Sequence, residues 1–273
     1  MLVGIIGGGF VGSATALIQR EDVHVVVYDT DPAKCIPSGL TFDELDKCDL
    51  LFVCVPTPML ENGKCYTGIV ERVIDQAKTL PSQPFIVIRS TVPVGFCESH
   101  SVLFMPEFLT EKNWRNDFLT CSEWIVGLDN EHDKVKSLFE AICLPSVTQL
   151  TFTTTKEAEA IKYFRNCFLA TKVSFCNEFE AWCNDLGVNY SLVSVVASRD
   201  SRIGSSHIRV PGPDGHRGFG GTCFPKDMAS LNHQLGERSV LIQAAIQRNT
   251  TIDRPEQDWK TSDEFKGRAV VKN

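Results

Sequence analysis

The first 29 residues follow a pattern of apolar runs and glycines that few folds require. The apolar segment MLVGII leads into Gly7-x-Gly9-x-x-Gly12, and an alanine- and leucine-rich segment separates these glycines from a second apolar run, HVVVYD. A strand, a glycine turn, a helix, a second strand and an acidic residue about 20 positions further on together form a dinucleotide-binding fingerprint. The chain is therefore predicted to begin with a Rossmann-type α/β domain.

Each glycine of the fingerprint has its own physical task. Gly7 allows the tight turn, Gly9 lets a pyrophosphate approach the backbone, and Gly12 lets the helix pack closely on the strand. The helix that starts near Phe10 and Val11 offers unpaired N–H groups and the positive end of its dipole to the phosphates. These five residues are predicted cofactor ligands, with a glycine turn in an unrelated α/β protein as the alternative.

The second apolar run ends at Asp29, which decides the kind of dinucleotide. Its carboxylate can accept hydrogen bonds from the hydroxyls of the adenosine ribose, and it would repel a 2′-phosphate. NAD is therefore the predicted cofactor, rather than NADP.

Three further apolar runs, Asp49–Pro56, Pro84–Thr91 and Ser122–Leu128, extend the predicted sheet. Their nearly continuous apolar character is typical of parallel strands buried on both faces. Thr57 and Thr91 lie in the loops after the first two runs, and ligands of open α/β sheets bind beyond the carboxyl ends of the strands. Both threonines are predicted to meet the cofactor or the substrate, with an ordinary turn threonine as the alternative.

Between Lys156 and Gly187 the chain contains neither proline nor glycine, which predicts a helix of about 30 residues, roughly 45 Å long. One apolar stripe recurs at three- and four-residue steps: Ile161, Phe164, Phe168, Phe175, Phe179, Trp182 and Leu186. A second apolar face carries Tyr163, Cys167 and Ala170. Core packing accounts for most of these residues, but two apolar faces on one long helix also predict contact with a second subunit, hence a homodimer.

Lys162 and Asn166 stand four positions apart and therefore share one face of the predicted helix, among residues expected to be buried. A buried lysine is costly unless it is paired, and its pKa is easily shifted, which is useful in catalysis. The two residues are candidates for a catalytic pair, and a solvated lysine is the ordinary alternative.

Glu107 and Glu111 follow a further apparent strand, SVLFM, and also stand four positions apart. Pro106 suits a helix start, where carboxylates interact favourably with the helix dipole, so a structural role accounts for both glutamates. A catalytic role is the alternative that their spacing alone leaves open.

The length of 273 residues fits two domains. The predicted ranges are an NAD-binding domain at 1–152, a helical substrate and dimerisation domain at 153–252, and a polar tail at 253–273. The formal net charge of −7 argues against nucleic acid as a partner, and no apolar run approaches the ~18 residues of a membrane span. The 11 cysteines form neither CxxC pairs nor metal-ligand spacings, which predicts reduced thiols, no metal and a cytoplasmic location.

The stretch GFGGTCFPKD, Gly218 to Asp227, combines closely spaced glycines with a cysteine, a proline and an adjacent Lys–Asp pair. Glycines at such positions let the backbone approach another group closely or adopt positive φ. The residues themselves leave open whether Cys223 is a small core residue or a nucleophile.

Seven segments of the chain resemble the UDP-glucose/GDP-mannose dehydrogenase family. In chain order they are GGGFVG, VPTP, RSTVPVG, MPEFLTE, EAIKYFRNCFLATKVSFCNE, DSRIG and GFGGTCFPKD, and the last is very specific. The resemblance implies a Rossmann-type parallel sheet followed by an all-helical domain with a long central helix. It also implies a two-step oxidation of the C6 alcohol of a nucleotide sugar by NAD, with UDP-glucose to UDP-glucuronate as the expected reaction, in polysaccharide biosynthesis.

By matching position, the resemblance makes Cys223 the nucleophile, which would capture an intermediate aldehyde as a thiohemiacetal and carry the acid as a thioester. Lys162 would favour the thiolate and stabilise the developing oxyanion, with Asn166 completing the site. Asp227 would position or deprotonate water, and Glu107 would act in hydrolysis of the thioester.

Other matching positions have supporting roles in the family. Thr91 would lie near C6 and the nicotinamide, Lys226 would contact the cofactor and Glu111 the substrate, and Arg202 would reach the sugar of a neighbouring subunit. The expected substrate contacts also include Phe108, Leu109, His207, Arg209, Arg217, Phe219 and Gly220. For the charged residues of this set, solvated loop side chains are the alternative.

The family usually continues into a second Rossmann-like domain, and FKGRAVV resembles the beginning of that domain. The chain is therefore expected to be a short form, a truncated protein or a protein that needs a partner. Two alternatives to an active enzyme of this type are a nucleotide-sugar and NAD binding protein with little activity, and a 3-hydroxyacid dehydrogenase that performs one oxidation.

Overall fold

The computed structural model describes residues 1–130, 132–262, 265 and 267–271. The chain divides into two compact units. Unit 1 comprises Met1–Thr57 and Thr67–Lys162, and unit 2 comprises Pro58–Tyr66 and Tyr163–Asn273. Unit 2 thus takes a short segment, residues 58–66, from within the stretch of chain that builds unit 1.

Unit 1 is built, in its described residues, on a seven-stranded sheet. The strands are β1 (Leu2–Ile6), β2 (His24–Tyr28), β3 (Leu50–Val53), β4 (Phe85–Ile88), β5 (Leu103–Phe104), β6 (Glu123–Gly127) and β7 (Gln149–Thr153). They lie in the order β2-β1-β3-β4-β5-β6-β7, and the neighbouring strands pair in parallel except β5 with β6. This arrangement confirms the predicted Rossmann-type sheet, with one antiparallel strand pair added.

Helices cover both faces of this sheet. The described part of unit 1 contains α1 (Phe10–Thr15), α2 (Gly68–Lys78), α3 (Phe96–His100), α4 (Trp114–Leu119) and α5 (Asp133–Ile142). On β3, Leu51 and Val53 contribute to the core on one face, whereas Leu50 and Phe52 contribute to the core on the other. Both sets of alternating side chains are therefore apolar, which is why the inner strands appear in the sequence as continuous apolar runs.

β7 is the strand that the sequence did not predict. Its residues, Gln149–Thr153, alternate polar and apolar side chains, and none of them is fully buried. β7 lies at one edge of the sheet, and only its apolar face, with Leu150 and Phe152, packs against a core, so polar and apolar residues alternate along it.

Unit 2 is mainly helical. Its helices are α6 (Thr155–Asp185), of which residues 155–162 belong to unit 1, α7 (Tyr190–Ala197), α8 (Phe224–Leu235), α9 (Leu241–Arg248) and α10 (Asp258–Thr261). A π-helical turn, Asn249–Asp253, continues α9. With its 31 residues, α6 confirms the predicted long helix.

The apolar stripe of α6 and its second apolar face have opposite surroundings. Tyr163, Cys167 and Ala170 are buried in the core of unit 2. The stripe that core packing was expected to explain is largely exposed in the single chain, with its exposed members being Phe164, Phe168, Phe175, Trp182 and Leu186. The reason is that one face of the helix is sufficient for the core of its own unit, so the second apolar face is left at the surface.

The segment predicted as a polar tail contains buried residues. Trp259 and Ala269 are almost inaccessible and form a small core with Met59. The backbone N–H of Met59 donates to the carbonyl oxygen of Ala269 at 2.9 Å. This segment therefore packs within unit 2. Across the described ranges, the helices are too short or too polar to span a membrane.

Candidate active site

The glycine turn of unit 1 has the geometry that a dinucleotide needs. Gly7 has a φ of +105°, and a Cβ there would lie 2.7 Å from the carbonyl oxygen of Cys54, so only glycine fits. A Cβ at Gly12 would overlap the carbonyl oxygen of Gly7, which shows how closely α1 packs on the turn. Gly9, the N-cap of α1, is exposed and has open space where a Cβ would stand. Its backbone and the first N–H groups of the helix are therefore suited to a pyrophosphate.

Asp29 lies directly beside this turn. One of its carboxylate oxygens accepts the N–H of Gly8 at 2.6 Å, and the other accepts the N–H of Asp31 at 2.8 Å. Each oxygen retains a second lone pair, so the half-buried side chain can still accept from ribose hydroxyls. The turn and Asp29 together fit a dinucleotide whose ribose has a free 2′-hydroxyl.

Thr57 and Thr91 are both buried, unlike ordinary turn threonines. They lie in the loops that follow β3 and β4, where the sequence predicted them. The hydroxyl of Ser90 donates to the carbonyl oxygen of Val55 at 2.6 Å and ties the two loops together. Contact of the threonines with cofactor or substrate remains a prediction.

The loop after Thr91 is held from α6 by a carboxylate that the sequence analysis missed. Glu159 is fully buried and accepts the N–H groups of Gly95 at 2.5 Å and of Cys97 at 2.8 Å. Burial raises the pKa of this carboxyl, although the two N–H groups act to lower it. Its one sequence signal is its position three residues before Lys162, on the same side of the helix.

Lys162 is buried, as predicted, and it is paired with Glu107. Its ammonium donates to Oε1 of Glu107 at 2.6 Å and also to the carbonyl oxygen of the same residue. The side chains are 2% and 6% exposed, and the second carboxylate oxygen accepts the N–H of Leu109 at 2.9 Å. The ring of Phe108 lies 5.3 Å from the ammonium. Removal of either charge would leave the other buried without its direct ion-pair partner.

The predicted helix start at Pro106 is wrong. Residues 106–113, all of them described, contain no helix, and α4 begins only at Trp114. The carboxylate of Glu107 bonds inward to a lysine and a backbone N–H instead of interacting with a helix terminus. Glu111, four positions further on, is half-buried in this irregular segment.

Arg89 is a second buried cation in unit 1. Its guanidinium is 3% exposed, donates to Sδ of Met105 at 3.1 Å and lies 5.7 Å from the ring of Phe118. Burial lowers the pKa of Arg89, while the charges of Cys54 and Glu107 act to raise it. Arg89 thus adds positive charge around Glu107. In the sequence, Arg89 is marked only by its place in the segment RSTVPVG.

In unit 2 the structure gathers four of the predicted site residues at the start of α8. Cys223 is the N-cap of this helix and is partly exposed. Asp227 is almost inaccessible, and its two oxygens accept from the ammonium of Lys226 and from the side-chain amide of Asn166, both at 2.6 Å. The carboxylate is therefore compensated by an ammonium on one oxygen and an amide on the other.

Positive charge close to Cys223 comes from Lys226. Although burial acts to lower it, the pKa of Lys226 is raised by the charges of Asp227 and Cys223. A helix N-terminus and a nearby ammonium both favour a thiolate. The sequence analysis gave this task to Lys162, which belongs to unit 1. Within unit 2 the ammonium is that of Lys226.

The glycines of the cysteine loop (residues 217–223) accommodate the protein's own side chains. A Cβ at Gly218 would overlap Oδ1 of Asn249, and one at Gly220 would overlap the guanidinium of Arg254. Gly221 has a φ of +72° and open space around the position of a Cβ. Gly221 therefore leaves room for a ligand, whereas Gly218 and Gly220 make room for Asn249 and Arg254.

The other predicted substrate contacts of unit 2 have varied surroundings. Phe219 is buried in the core of the unit. Arg217 forms an ion pair with Glu180 at 2.6 Å, and Arg202 is 88% exposed and pairs with Asp200 at 2.6 Å.

His207 and Arg209 are both on the surface. Partial burial of the ring and the charge of Lys172 lower the pKa of His207, so its imidazole is neutral at neutral pH. The ring of His207 lies 5.6 Å from that of Phe224. The contacts of both residues with a nucleotide stay predictions.

The UDP-glucose/GDP-mannose dehydrogenase family matches the chain in two places. Its NAD binding domain matches residues 39–143, and its central domain matches residues 156–251. The UDP-glucose 6-dehydrogenase of Rickettsia prowazekii is 29% identical over 90% of this chain, which spans 64% of that relative's length.

Solved structures add the fold. A UDP-glucose dehydrogenase of Pyrobaculum islandicum is 25% identical, with a TM-score of 0.75 over 90% of this chain and 67% of that one. The 3-hydroxyisobutyrate dehydrogenase of Mycobacterium tuberculosis has a TM-score of 0.69 over 90% of this chain and 91% of its own. With 17% identity, the latter likeness concerns the fold alone.

The two matched ranges follow each other along the chain, and together they contain every residue predicted to be catalytic: Thr91 and Glu107 in the first, and Lys162, Asn166, Cys223 and Asp227 in the second. The first range lies in unit 1 except for residues 58–66, and the glycine turn and Asp29 of that unit, which precede the matched range, fit NAD, the cofactor of the matched domain. The chain belongs to the UDP-glucose/GDP-mannose dehydrogenase family.

Proposed function

We propose that this protein oxidises the C6 alcohol of a nucleotide sugar to a carboxylate in two steps, with UDP-glucose as the substrate. The observation that carries the proposal is the start of α8, where Cys223 caps the helix and Asp227 binds both Lys226 and Asn166. Positive charge at this position favours the thiolate that a covalent step requires. A dehydrogenase that performs a single oxidation has no use for such a thiol.

The first oxidation removes a proton from the C6 hydroxyl and a hydride from C6, which leaves an aldehyde. NAD held at the glycine turn would accept this hydride, and a second NAD, exchanged for the NADH that is formed, would accept the one that follows. Lys162 stabilises the negative charge that develops on the C6 oxygen, and Asp227 receives the proton through a water molecule. Asn166 orients Asp227 through its side-chain amide.

The second oxidation is covalent. Cys223 forms a carbon–sulfur bond to C6 while the aldehyde oxygen takes up a proton, and loss of that proton and of a second hydride leaves a thioester. Glu107 deprotonates a water that attacks the thioester carbon, the carbon–sulfur bond breaks, and the sulfur leaves as thiolate. One alcohol, one water and two NAD thus give one carboxylate, two NADH and three protons, which pass to solvent.

UDP-glucose is the first substrate to test because the similar proteins of Rickettsia and Pyrobaculum carry its name. Proposed sugar and nucleotide contacts are Phe108, Leu109, Glu111, Arg202, His207 and Arg209, with Thr91 beside C6. The described cysteines are free thiols, which suits a cytoplasmic enzyme. Its product, a nucleotide-linked uronic acid, would serve polysaccharide biosynthesis.

The test is NADH formation, followed by absorbance, with UDP-glucose, GDP-mannose and UDP-N-acetylmannosamine in parallel. With the true substrate we expect two NADH per sugar consumed. Cys223→Ser is expected to lower kcat about a thousandfold or more, because a serine hydroxyl is not ionised and cannot form the thioester. The matched control Cys143→Ser, which alters a half-buried thiol at the end of α5, is expected to retain wild-type turnover.

Two outcomes would favour the alternatives. One NADH per sugar, with Cys223→Ser as active as the wild type, would indicate a single oxidation like that of a hydroxyacid dehydrogenase, whose fold this chain shares over 90% of its length. Measurable NAD binding without turnover of any of the three sugars would indicate a binding protein.

We also propose a homodimer formed through the exposed apolar stripe of α6. Phe164, Phe168 and Phe175 are 73%, 59% and 65% exposed in the single chain, and exposed aromatic surface of this extent is typical of an interface. Phe175→Asp is expected to convert a dimer into a monomer at micromolar concentration, as measured by sedimentation. Gln76→Glu, which adds the same charge to α2, should leave the dimer intact. A wild-type chain that sediments as a monomer would contradict the proposal.

A further inference from the structure

The cysteine loop has neither helix nor strand of its own, and its residues are buried (Gly218, Phe219 and Thr222) or half-buried. Its main-chain polar groups must therefore find partners in side chains. The N–H of Gly218 donates to Oδ1 of Asn177, a buried residue of α6, at 3.2 Å. The groups that follow are bound by residues from beyond α9.

Asn249 binds both main-chain polar groups of Phe219. The N–H of Phe219 donates to Oδ1 of Asn249 at 2.8 Å, and Nδ2 of Asn249 donates to the carbonyl oxygen of Phe219 at 2.9 Å. Asn249 is completely buried and opens the π-helical turn after α9, a rare element that is frequent at functional sites. Its carboxamide thus fixes the backbone of Phe219 in two directions at once.

Arg254 closes the other side of the same loop. Its guanidinium lies against the backbone of Gly220, so closely that a Cβ there would overlap it. Arg254 is 3% exposed and pairs with Asp214 at 2.6 Å and with Asp258 at 2.7 Å. The backbone N–H of Arg254 also donates to the carbonyl oxygen of Asn249 at 2.7 Å, which joins the two residues.

We propose that Asn249 and Arg254 are positioning residues that hold the cysteine loop, and with it Cys223, in place at the start of α8. The inference rests on the proposed function of Cys223 as the nucleophile. Phe219 and Cys223 are four positions apart, a span of at most about 14 Å, so a displacement of Phe219 passes to the thiol. The side chain of Phe219 also shares a core with Met228 of α8, which links the loop and the helix.

Asn249→Ala removes both bonds to Phe219 and is the first variant to measure. The readout is the rate at which iodoacetamide alkylates Cys223 in the full chain at neutral pH, followed by mass spectrometry of its own peptide. We expect this rate to fall about fivefold, because a loosened loop takes the sulfur away from the helix N-terminus and from Lys226. A rate equal to or above that of the wild type would overturn the proposal.

The control is Cys183→Ala, which opens a cavity in a different core of the same unit, beside Cys176 and Tyr190. It destabilises unit 2 without touching the loop, so the alkylation of Cys223 should remain at the wild-type rate. A loss equal to that of Asn249→Ala would mean that alkylation reports only the stability of the unit, and the proposal would fail.

A second variant serves if Asn249→Ala does not fold. Gly218→Ala places a methyl group where Oδ1 of Asn249 stands and is expected to slow alkylation by a similar factor. Because alanine at a φ of +69° is strained by itself, the double variant Gly218→Ala/Asn249→Ala relieves only the overlap with the asparagine, and its loss should be smaller than the product of the two single losses. If the two losses of alkylation rate multiply, the two residues act independently, and the proposal that Asn249 holds the cysteine loop is contradicted.

Turnover supplies the last readout. For Asn249→Ala we expect kcat to fall about tenfold while the KM for NAD stays within about twofold, because the glycine turn belongs to unit 1. Arg254→Lys keeps the charge but loses the planar contact with Gly220 and should give a smaller loss of about threefold. An unchanged kcat would contradict the proposal. Alkylation needs neither NAD nor sugar, so the positioning role of Asn249 and Arg254 can be tested even if the protein does not catalyse the proposed reaction.

Discussion

The candidate site residues of unit 1 and unit 2 are held in place by different means. In unit 1, Thr57, Thr91 and Glu107 follow the carboxyl ends of β3, β4 and β5, so the hydrogen-bond ladder of the sheet sets their positions. In unit 2, Cys223 ends the cysteine loop, whose backbone is bound by side chains distant in sequence, among them Asn249. A site at strand ends depends on the register of a sheet, whereas a site on such a loop depends on a few polar residues.

The same difference applies to the buried lysines. Lys162 is 2% exposed, and its carboxylate partner Glu107 is 6% exposed. Lys226 is 12% exposed, and its partner Asp227 also accepts from the amide of Asn166. Of the two lysines, the one in unit 1 is therefore the more deeply buried, so the loss of its direct ion-pair partner is expected to cost more.

The largest expected effect is that of Lys162→Met. It leaves the buried carboxylate of Glu107 without the ammonium that binds it, with the guanidinium of Arg89 as remaining positive charge nearby, and is expected to lower the free energy of unfolding by about 3 kcal/mol. Lys226→Met should cost less, about 1–2 kcal/mol, because Asp227 keeps its amide donor and the site adjoins solvent. Urea unfolding of the two variants measures the difference.

Lys156→Met is the control on the same helix. Lys156 forms an ion pair with Glu98 at 2.6 Å, but both side chains are about half exposed, so the variant should unfold like the wild type. If Lys162→Met and Lys226→Met lower the free energy of unfolding equally, the two buried lysines do not differ in the way proposed for the two units.

Much of the fold could be predicted from the sequence because unit 1 is encoded locally. Buried strands such as β3 and β4 appear as apolar runs, and the glycine turn has its own fingerprint. β7 escaped prediction because its polar and apolar side chains alternate and form no continuous apolar run. The exposure of Phe168 on α6 escaped it too, because helical spacing is the same for a core face and for a face that meets a partner.

The candidate site was predictable where a residue belongs to a motif. Cys223, Asp227 and Lys162 were found in this way, and the pairing expected of a buried lysine was confirmed. Asn249 and Glu159 were not found, because each is an ordinary polar residue whose partners lie 30 or more positions away. Their importance is a property of the folded chain, since the groups they satisfy become buried only there.

Glu159 is an exception to this difference between the two units, because it is a side chain of unit 1 that holds a loop by accepting backbone N–H groups. Glu159→Gln can accept only one of the N–H groups of Gly95 and Cys97, so it should be less stable than the wild type by about 1 kcal/mol at neutral pH. Burial raises the pKa of the carboxyl above its ordinary 4.5, so the folded state holds the proton more tightly than the unfolded state. Wild-type stability therefore falls as pH rises from about 4.5 through the raised pKa, whereas glutamine has no such dependence.

The difference in unfolding free energy between wild type and Glu159→Gln is thus expected to narrow between about pH 4 and pH 7. Glu157→Gln, on the same helix, should behave in the opposite way. Hydrogen bonds from Thr153 and Thr154 lower the pKa of Glu157. The stabilisation that this carboxylate contributes to the folded state is therefore present above its ordinary pKa and is lost on acidification. A difference that widened with pH for both variants would mean that the two N–H groups outweigh burial at Glu159. The Thr91 loop would then be held by a fully stabilised carboxylate, and side-chain support would matter as much in unit 1 as in unit 2.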